Sequence, residues 1–452
     1  MPKLSILEKN AYINVLIKDN GIWGYLAYMD YNANREYILS DYTDINSLRF
    51  LLDDNVFTKD FWFEYFDNLE NVFNWNIVDK DKSSIFTFRR FKEEGDGISG
   101  VRVQIDDNQE FFREIFDSVR DFSNDVSLRV VDDQYMNSVL EGILRRMNLD
   151  DLMLVDMDLF HFSIFRVKAD YEKGKPTGKL SFTKSKLSWK DEISLIDSVK
   201  DSRFNAFLAT EISSENLFNI WGNFVIDKPL VVQDNSLLDI IRAYSTIQNF
   251  SIYRDNKAKI EGFGREYTKT AMIVTGNIPR VLGLSKTMLS IIDGLEITGN
   301  FDCYFDLDLK TIAFGKSYVN ATESTDIILT KGSILPKLTK VIIPLTKDSK
   351  RNRVLLSGNI ESLDIERSDF YALSSQYTIM ELPKHEEKMI LSMNLRNGAK
   401  TYPLGETSLE YISIPGVSEI ESLLFDFRQR PIVYGPDAYT NRVKLQSWIN
   451  DN

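Results

Sequence analysis

A strand–turn–strand arrangement occurs twice in the sequence, and this repeat limits the possible folds more than any other feature. The first copy lies at about residues 11–31, where apolar runs flank Asp19-Asn20-Gly21. Asn-Gly between apolar runs is a strong hairpin signal. The second copy lies at 152–168, where LMLVDMD leads into the alternating aromatic stretch FHFSIF. Helical patterns and further strands follow each copy, which predicts a duplicated α/β body of two βββαβα-like halves.

The predicted domain boundaries follow changes in this pattern. Residues 1–325 form the α/β body, with one lobe at about 1–150 and the other at about 151–325. Farther along, short apolar segments recur about every ten residues between turn residues, which is typical of an all-β sandwich or barrel. We therefore predict a β-rich domain at 326–452 that ends in a short helix at NRVKLQSWIN.

Charge and composition exclude several classes of function. The chain has 54 basic and 67 acidic residues, a net charge of −13, which repels nucleic acid and anionic membrane surfaces. Cys303 is the only cysteine, which excludes a disulfide framework and a zinc knuckle. Charges at Lys3, Glu8 and Lys9 interrupt the N-terminus, and no window approaches 18 consecutive apolar residues. We expect a cytoplasmic protein without a signal peptide or membrane span.

One motif is misleading. Gly95–Gly100 fits G-x-G-x-x-G literally, but the dinucleotide-binding version lies between a buried strand and a helix. Here strand-like segments at 83–92 and 101–105 flank the glycines. We therefore predict a hairpin loop at this position and no dinucleotide site.

Three segments together resemble the ATPase superfamily of actins, heat-shock chaperones and sugar kinases. VLIKDNGIWGYLAYM, LMLVDMDLFHFSIFRV and TAMIVTGNIPRVLGLSKTMLSII have the order and spacing of its phosphate-1, phosphate-2 and adenosine segments. Asp19-Asn20-Gly21 matches the Asp-Asn-Gly of actins letter for letter. The layout is most similar to bacterial cell-division actin homologues, type IV pilus platform proteins and glutamate-mutase accessory ATPases. The resemblance covers about residues 10–320 and implies an actin-like fold.

The resemblance also implies a site for a magnesium nucleotide. If the site is live, its catalytic residues are Asp19 and Asp156, and Asp158 joins them as a metal ligand. The implied contacts to the nucleotide are Asn20, Gly21, Asp158, Thr275, Gly276 and Asn277. The cofactor is then ATP with Mg²⁺, whereas an inert cleft has no cofactor.

The loops depart from what a triphosphate requires. Phosphate loops use glycine and small hydroxyl residues so that backbone N–H groups can approach the ligand. Ile22 and Trp23 follow the first turn instead, and no lysine is evident nearby. In the second loop Asp158 stands where a glycine N–H should face a phosphate, and a carboxylate there is repulsive. Bulky Leu159 and Phe160 follow it.

These departures favour a pseudo-ATPase that acts as a scaffold and docks protein partners, a membrane-anchored peptide among them. The resemblance suggests a pilus or cell-envelope machine as its setting. Two alternatives stay open. One is a live magnesium-dependent ATPase or kinase with unusual loops. The other is a filament-forming actin homologue, and hence a homo-oligomer.

Overall fold

The structure is a computed structural model of the chain. The residues that it describes are 11–18, 21–30, 35–44, 61–62, 64–66, 68–69, 72–73, 98–106, 112–122, 127–172, 175–201, 203–227, 232–267, 269–319, 334–335, 337–344, 353–362, 368–384, 388–401, 407–414, 419–428 and 438–450. They divide into two compact units. The first comprises Met1–Ile143 with Asp308–Ile334, and the second comprises Leu144–Leu307 with Leu335–Asn452.

The strands and helices are named in chain order. The strands are β1 (Ala11–Lys18), β2 (Gly21–Asp30), β3 (Arg35–Asp44), β4 (Ile98–Asp106), β5 (Ser127–Val131), β6 (Asp151–Met157), β7 (His161–Glu172), β8 (Lys175–Ser188), β9 (Thr270–Thr275), β10 (Gly299–Asp306), β11 (Lys337–Ile343), β12 (Val354–Glu361), β13 (Ser368–Leu373), β14 (Tyr377–Glu381), β15 (Met389–Leu395), β16 (Ser408–Ser413) and β17 (Ser422–Asp426). The helices are α1 (Phe112–Phe122), α2 (Asp133–Arg146), α3 (Glu192–Asp197), α4 (Phe204–Phe207), α5 (Ser214–Asp227), α6 (Asn235–Ile260), α7 (Asn277–Leu295), α8 (Lys310–Val319) and α9 (Ala438–Asn450).

The two large sheets repeat one order of strands. The first sheet has the order β3-β2-β1-β4-β5, and the second contains β8-β7-β6-β9-β10. In each sheet the first three strands in sequence are antiparallel neighbours, and two parallel strands continue from the first of them. Strands β6 and β9 are almost wholly buried, as expected for strands covered on both faces. This order confirms the predicted duplicated α/β layout.

The C-terminal strands contribute to two sheets. Strands β11, β17 and β14 extend the second large sheet beyond β10, whereas β13-β12-β15-β16 form a separate antiparallel sheet. The predicted β-rich character and the terminal helix, α9, are confirmed. The domain boundary between residues 325 and 326 stays a prediction. Strand pairing alone does not show whether the segment after residue 325 folds independently. No helix in the described ranges combines the length and the apolar character needed to cross a membrane.

The predicted hairpin around Gly95–Gly100 lies mostly outside the described residues. Its second strand is present as β4, which pairs in parallel with β1 and with β5. In the described residues, β4 is thus an inner strand of the first sheet, with a parallel neighbour on each side.

Helix α8 lies with the first unit, although the sequence predicts the second lobe for this segment. Buried hydrogen bonds explain its position. Asn14 Nδ2 donates to Gln104 Oε1 and to the carbonyl of Ala313, both at 2.7 Å. Gln104 Nε2 donates to the hydroxyl of Tyr135 at 2.9 Å, and that hydroxyl donates to the carbonyl of Ile312 at 2.7 Å. The network joins β1, β4, α2 and α8.

Replacing Tyr135 with phenylalanine is expected to lower the free energy of unfolding by about 1–3 kcal/mol, because it leaves Gln104 Nε2 and the Ile312 carbonyl without their buried partner. Urea unfolding followed by circular dichroism measures the change. The matched control is Tyr371→Phe, since Tyr371 is 70% exposed on β13. Equal effects of the two substitutions would contradict a structural role for the network.

Candidate functional site

The carboxyl ends of β6, β9 and β10 lie side by side at one edge of the second large sheet, because the three strands are parallel. The register aligns Asp156 with Thr275, and Thr275 with Asp306. Thr275 is buried, and its Oγ1 donates to the backbone carbonyl of Asp306 at 3.0 Å. In open α/β sheets ligands bind at the carboxyl ends of the strands. This edge is therefore the candidate site of the second unit.

Asp158 lies in the turn after β6 and caps helix α7. Its backbone N–H donates to the carbonyl of His161 at 2.8 Å, which closes the turn. Its Oδ1 accepts a hydrogen bond from the backbone N–H of Asn277, the first residue of α7, at 2.7 Å. The first N–H groups of a helix have no partner within the helix, and their partial positive charge favours an anion. A carboxylate of the protein itself thus holds this anion position.

Gly276 is required by the close approach of two backbones. Its φ of 104° and ψ of 174° belong to a region that only glycine adopts readily. A Cβ atom on Gly276 would lie 2.4 Å from the carbonyl oxygen of Met157 and 2.8 Å from its nitrogen. The end of β6 therefore packs directly against the start of α7. This contact explains the glycine without any ligand.

The bulky residues of the second loop belong to the core. Leu159 is 6% exposed and lies in the core of the second unit, and Phe160 packs against that core. The Leu159 carbonyl accepts a hydrogen bond from the hydroxyl of Tyr244 at 2.8 Å. The Phe160 carbonyl accepts one from the backbone N–H of Trp189 at 3.0 Å. The turn is thus fixed by bonds to α6 and to the chain after β8.

The first unit holds the remaining predicted site residues. Asp19 and Asn20 lie outside the described residues. Gly21 pairs with Lys18 across the hairpin, and Trp23 is buried with its ring centroid 4.8 Å from that of Tyr42. The interpretation that no lysine lies near this turn is wrong, since Lys18 directly precedes Asp19 and is itself buried.

The acidic residues of the second unit have different surroundings. Asp156 is half-buried near the end of β6, whereas Asp158 is 1% exposed and directed at α7. In the described part of the chain, no group of three His, Cys, Asp or Glu side chains is arranged to hold a metal ion. The metal set of Asp19, Asp156 and Asp158 stays a prediction, because Asp19 is not among the described residues.

Asp306 is a candidate that the sequence interpretation missed. It ends β10, is 1% exposed, and lies next to Thr275 in the register. The signal was available, because FDCYFD is an apolar strand that ends in an aspartate, as β6 nearly does. It was missed because the spacing between β9 and β10 depends on where α7 begins and ends.

The comparisons with known proteins gave similarities in structure only. No protein-family model matches the chain, and no curated protein sequence matches it. The chain is similar to ParM in a filament structure from Clostridium botulinum, at 10% identity, a TM-score of 0.31, and coverage of 68% of this chain and 99% of that one. It is also similar to an exopolyphosphatase from Cytophaga hutchinsonii, at 9% identity, a TM-score of 0.27, and coverage of 59% and 66%.

A third similar structure is a Bacteroides thetaiotaomicron protein of unknown function with an actin-like ATPase fold, at 9% identity, a TM-score of 0.22, and coverage of 48% and 90%. The chain spans just under two thirds of the length of the exopolyphosphatase. The strand order of the two large sheets defines the fold. The chain has a duplicated α/β fold, in which two large sheets repeat one strand order, with a separate antiparallel sheet near its C-terminus.

Proposed function

We propose that this chain is a pseudo-ATPase of the actin-like fold that acts as a scaffold and docks protein partners. One observation carries the proposal: Asp158 Oδ1 lies 2.7 Å from the backbone nitrogen of Asn277 at the N-terminus of α7. A helix N-terminus at the carboxyl edge of a sheet is a common place for a phosphate. Here the protein's own carboxylate takes that place.

Electrostatics argue against a triphosphate beside this carboxylate. Two like charges about 4 Å apart repel by about 4 kcal/mol at an effective dielectric constant of about 20. Displacing Asp158 would also break its bond to Asn277 and expose a side chain that is 1% exposed. The residues of this loop therefore do not fit a nucleotide phosphate tail.

The charge and the sheets of the chain support a role in binding protein partners. A net charge of −13 disfavours nucleic acid as a partner. The separate antiparallel sheet offers a second surface besides the α/β body. Protein segments, including one anchored in a membrane, are the partners that this arrangement suits.

The Asp158 proposal predicts how the protein responds to nucleotide. Millimolar Mg-ATP is expected to leave the melting temperature of the wild-type chain unchanged, because a ligand stabilises only a protein that it binds. Asp158→Gly is expected to lower the free energy of unfolding by about 1–3 kcal/mol, because it leaves the backbone N–H of Asn277 without its partner. The same variant should gain a rise in melting temperature with phosphate or Mg-ATP. Differential scanning fluorimetry measures both changes.

Asp158→Asn is the matched control, because asparagine also caps helices but carries no charge. It should keep most of the stability and respond to anions less than the glycine variant. A saturable rise in the melting temperature of wild type with Mg-ATP, together with phosphate release abolished in Asp156→Asn, would instead show a live ATPase. Light scattering that grows with protein concentration would favour the filament alternative.

A further inference from the structure

We propose that the exposed face formed by α3 and α5 binds a basic amphipathic helix of a protein partner. This inference deepens the proposed scaffold function by naming the chemistry of one partner. We call this face the α3–α5 face, and its central residues are Ile193, Phe218, Gly222 and Ile226.

The two helices run in opposite directions along each other. Near one end Lys200, just after α3, lies over the ring of Phe218, with Nζ 5.1 Å from the ring centroid. Farther along, a side-chain carbon of Ile196 lies 3.9 Å from the position of a Cβ on Gly222. The next turn of each helix carries Ile193 and Ile226. These two isoleucines therefore mark the other end of the pair.

The outward side of this pair carries three exposed apolar side chains. Ile193 is 74% exposed, Ile226 is 58% exposed and Phe218 is 38% exposed. Phe218, Gly222 and Ile226 are spaced four residues apart, so they form one stripe along α5. The inward side of α5 packs against the core of the second unit. Trp221 on this side is fully buried, and its Nε1 donates to the Leu195 carbonyl at 3.0 Å. The exposed stripe is thus surplus to the packing of the chain itself.

Gly222 gives the stripe its shape. A glycine in the middle of a helix destabilises it relative to alanine. Some glycines are needed because another element packs against them, as Gly276 is. At Gly222 the heavy atom nearest to the position that a Cβ would take is 3.9 Å away, which is ordinary contact. Internal packing therefore does not require glycine here, and its absence of a side chain leaves a notch between Phe218 and Ile226.

The charge around the face selects a basic partner. Residues 190–227 contain seven acidic and three basic residues. Three of the acids are already paired, Asp197 with Lys200 at 2.6 Å, Asp201 with Arg203 at 2.5 Å and Glu211 with Arg442 at 3.1 Å. Besides these three pairs, the segment has four acids and one base. The exposed acidic residues at the ends of the two helices are Glu192, Glu215 and Asp227. An acidic rim around an apolar notch complements a helix with one apolar stripe and flanking lysines or arginines.

The same rim disfavours the other occupants of an apolar face. A second copy of this face would bring acidic residues against acidic residues. An anionic lipid surface would be repelled for the same reason. A helix that places a large apolar side chain in the notch and cations over the rim satisfies both features at once.

The test uses the full chain, without nucleotide, and two fluorescent helical peptides of about 18 residues, about five turns. Both peptides carry leucines on one face, and the remaining positions are lysine in one and glutamate in the other. Fluorescence anisotropy is expected to show binding of the lysine peptide, with the glutamate peptide at least about tenfold weaker. Equal binding of the two peptides overturns the proposal.

Variants of the face locate the binding. Gly222→Gln fills the notch with a good helix former, and Phe218→Ser with Ile226→Ser removes the stripe. Each variant is expected to bind the lysine peptide roughly tenfold or more weakly than the wild-type chain does. Tyr371→Ser is the matched control, because Tyr371 is exposed on β13 of the separate antiparallel sheet. This substitution should leave binding unchanged. A control variant that weakens binding as much as the face variants overturns the proposal.

The remaining occupants give different outcomes. Concentration-dependent sedimentation that disappears in the Phe218→Ser, Ile226→Ser variant would show contact between copies of this chain and overturn the proposal. Co-sedimentation with phosphatidylserine vesicles that the same variant abolishes would show a lipid surface and also overturn it. Because no nucleotide is present, failure of this test leaves the Asp158 results unaffected, and the two proposals can fail separately.

Discussion

Replacing Arg166 with methionine is expected to lower the free energy of unfolding by about 3–5 kcal/mol, because it leaves a carboxylate buried without its cation. Arg166 is 2% exposed and Asp151 is fully buried. Arg166 Nε and Nη2 donate to the two carboxylate oxygens of Asp151 at 2.9 and 2.7 Å. Nη1 donates to the carbonyls of Lys259, Ile260 and Glu261 at 3.0, 3.0 and 3.1 Å. The cation therefore also satisfies the C-terminal carbonyls of α6.

Two further variants separate these contributions. Arg254→Met removes an ion pair with Asp255 that is more than half exposed, so its effect should stay below about 1 kcal/mol. Adding Asp151→Leu to Arg166→Met removes the stranded carboxylate and should recover part of the loss. Urea unfolding followed by circular dichroism measures all three. Equal losses in Arg166→Met and Arg254→Met would show that the buried ion pair contributes no more to the free energy of unfolding than the exposed one.

The strand order could be predicted because its signals are local. An Asp-Asn-Gly turn between apolar runs predicts the β1–β2 hairpin, and the alternating aromatics after Asp158 predict β7 as a return strand. The fully apolar TAMIVT predicts a strand that is covered on both faces, as β9 is. Each of these elements is defined by residues that are neighbours in sequence. Repetition of the same sequence of elements then supplied the duplication.

The role of Asp158 could not be predicted, because its partner lies 119 residues away. From the sequence, Asp158 is a misplaced carboxylate in a phosphate loop. In the structure it is a helix cap. The sequence also predicts a helix at 285–293, whereas in the structure a first helical segment of α7 runs from Asn277 to a break at Gly283, where φ is 72° and ψ is 178°. Gly283 is a helix-breaking residue, so the sequence pattern predicts no helix before it. The backbone N–H of Asn277, which donates to Asp158, therefore could not be recognised as a helix N-terminus.

The position of α8 is a second long-range effect. Its residues follow β10 in sequence, which favours the second lobe. The buried amide of Asn14 and the hydroxyl of Tyr135 bond to its backbone nearly 300 and nearly 180 positions away, respectively. Buried polar groups need partners, but no local pattern tells which backbone carbonyl supplies them.

Replacing Gly276 with alanine is expected to lower the free energy of unfolding by about 2–6 kcal/mol with no nucleotide present. Two effects add. The backbone region of Gly276 costs a residue with a side chain about 1–3 kcal/mol. The new methyl group would also lie 2.4 Å from the Met157 carbonyl oxygen, which forces two backbones apart and costs about 1–3 kcal/mol more.

Gly283→Ala isolates the second effect. Gly283 interrupts α7 with φ 72° and ψ 178°, so it occupies the same region of backbone conformation as Gly276. Nothing lies within 4 Å of a Cβ at that position. The excess loss in Gly276→Ala, measured by urea unfolding, therefore reports the contact with Met157 alone. If Gly276 were glycine only to admit a nucleotide, the two variants would unfold at the same urea concentration, and they would differ only in their response to Mg-ATP. We expect the reverse, because the backbone of β6 already fills the space that a glycine at a phosphate loop keeps open.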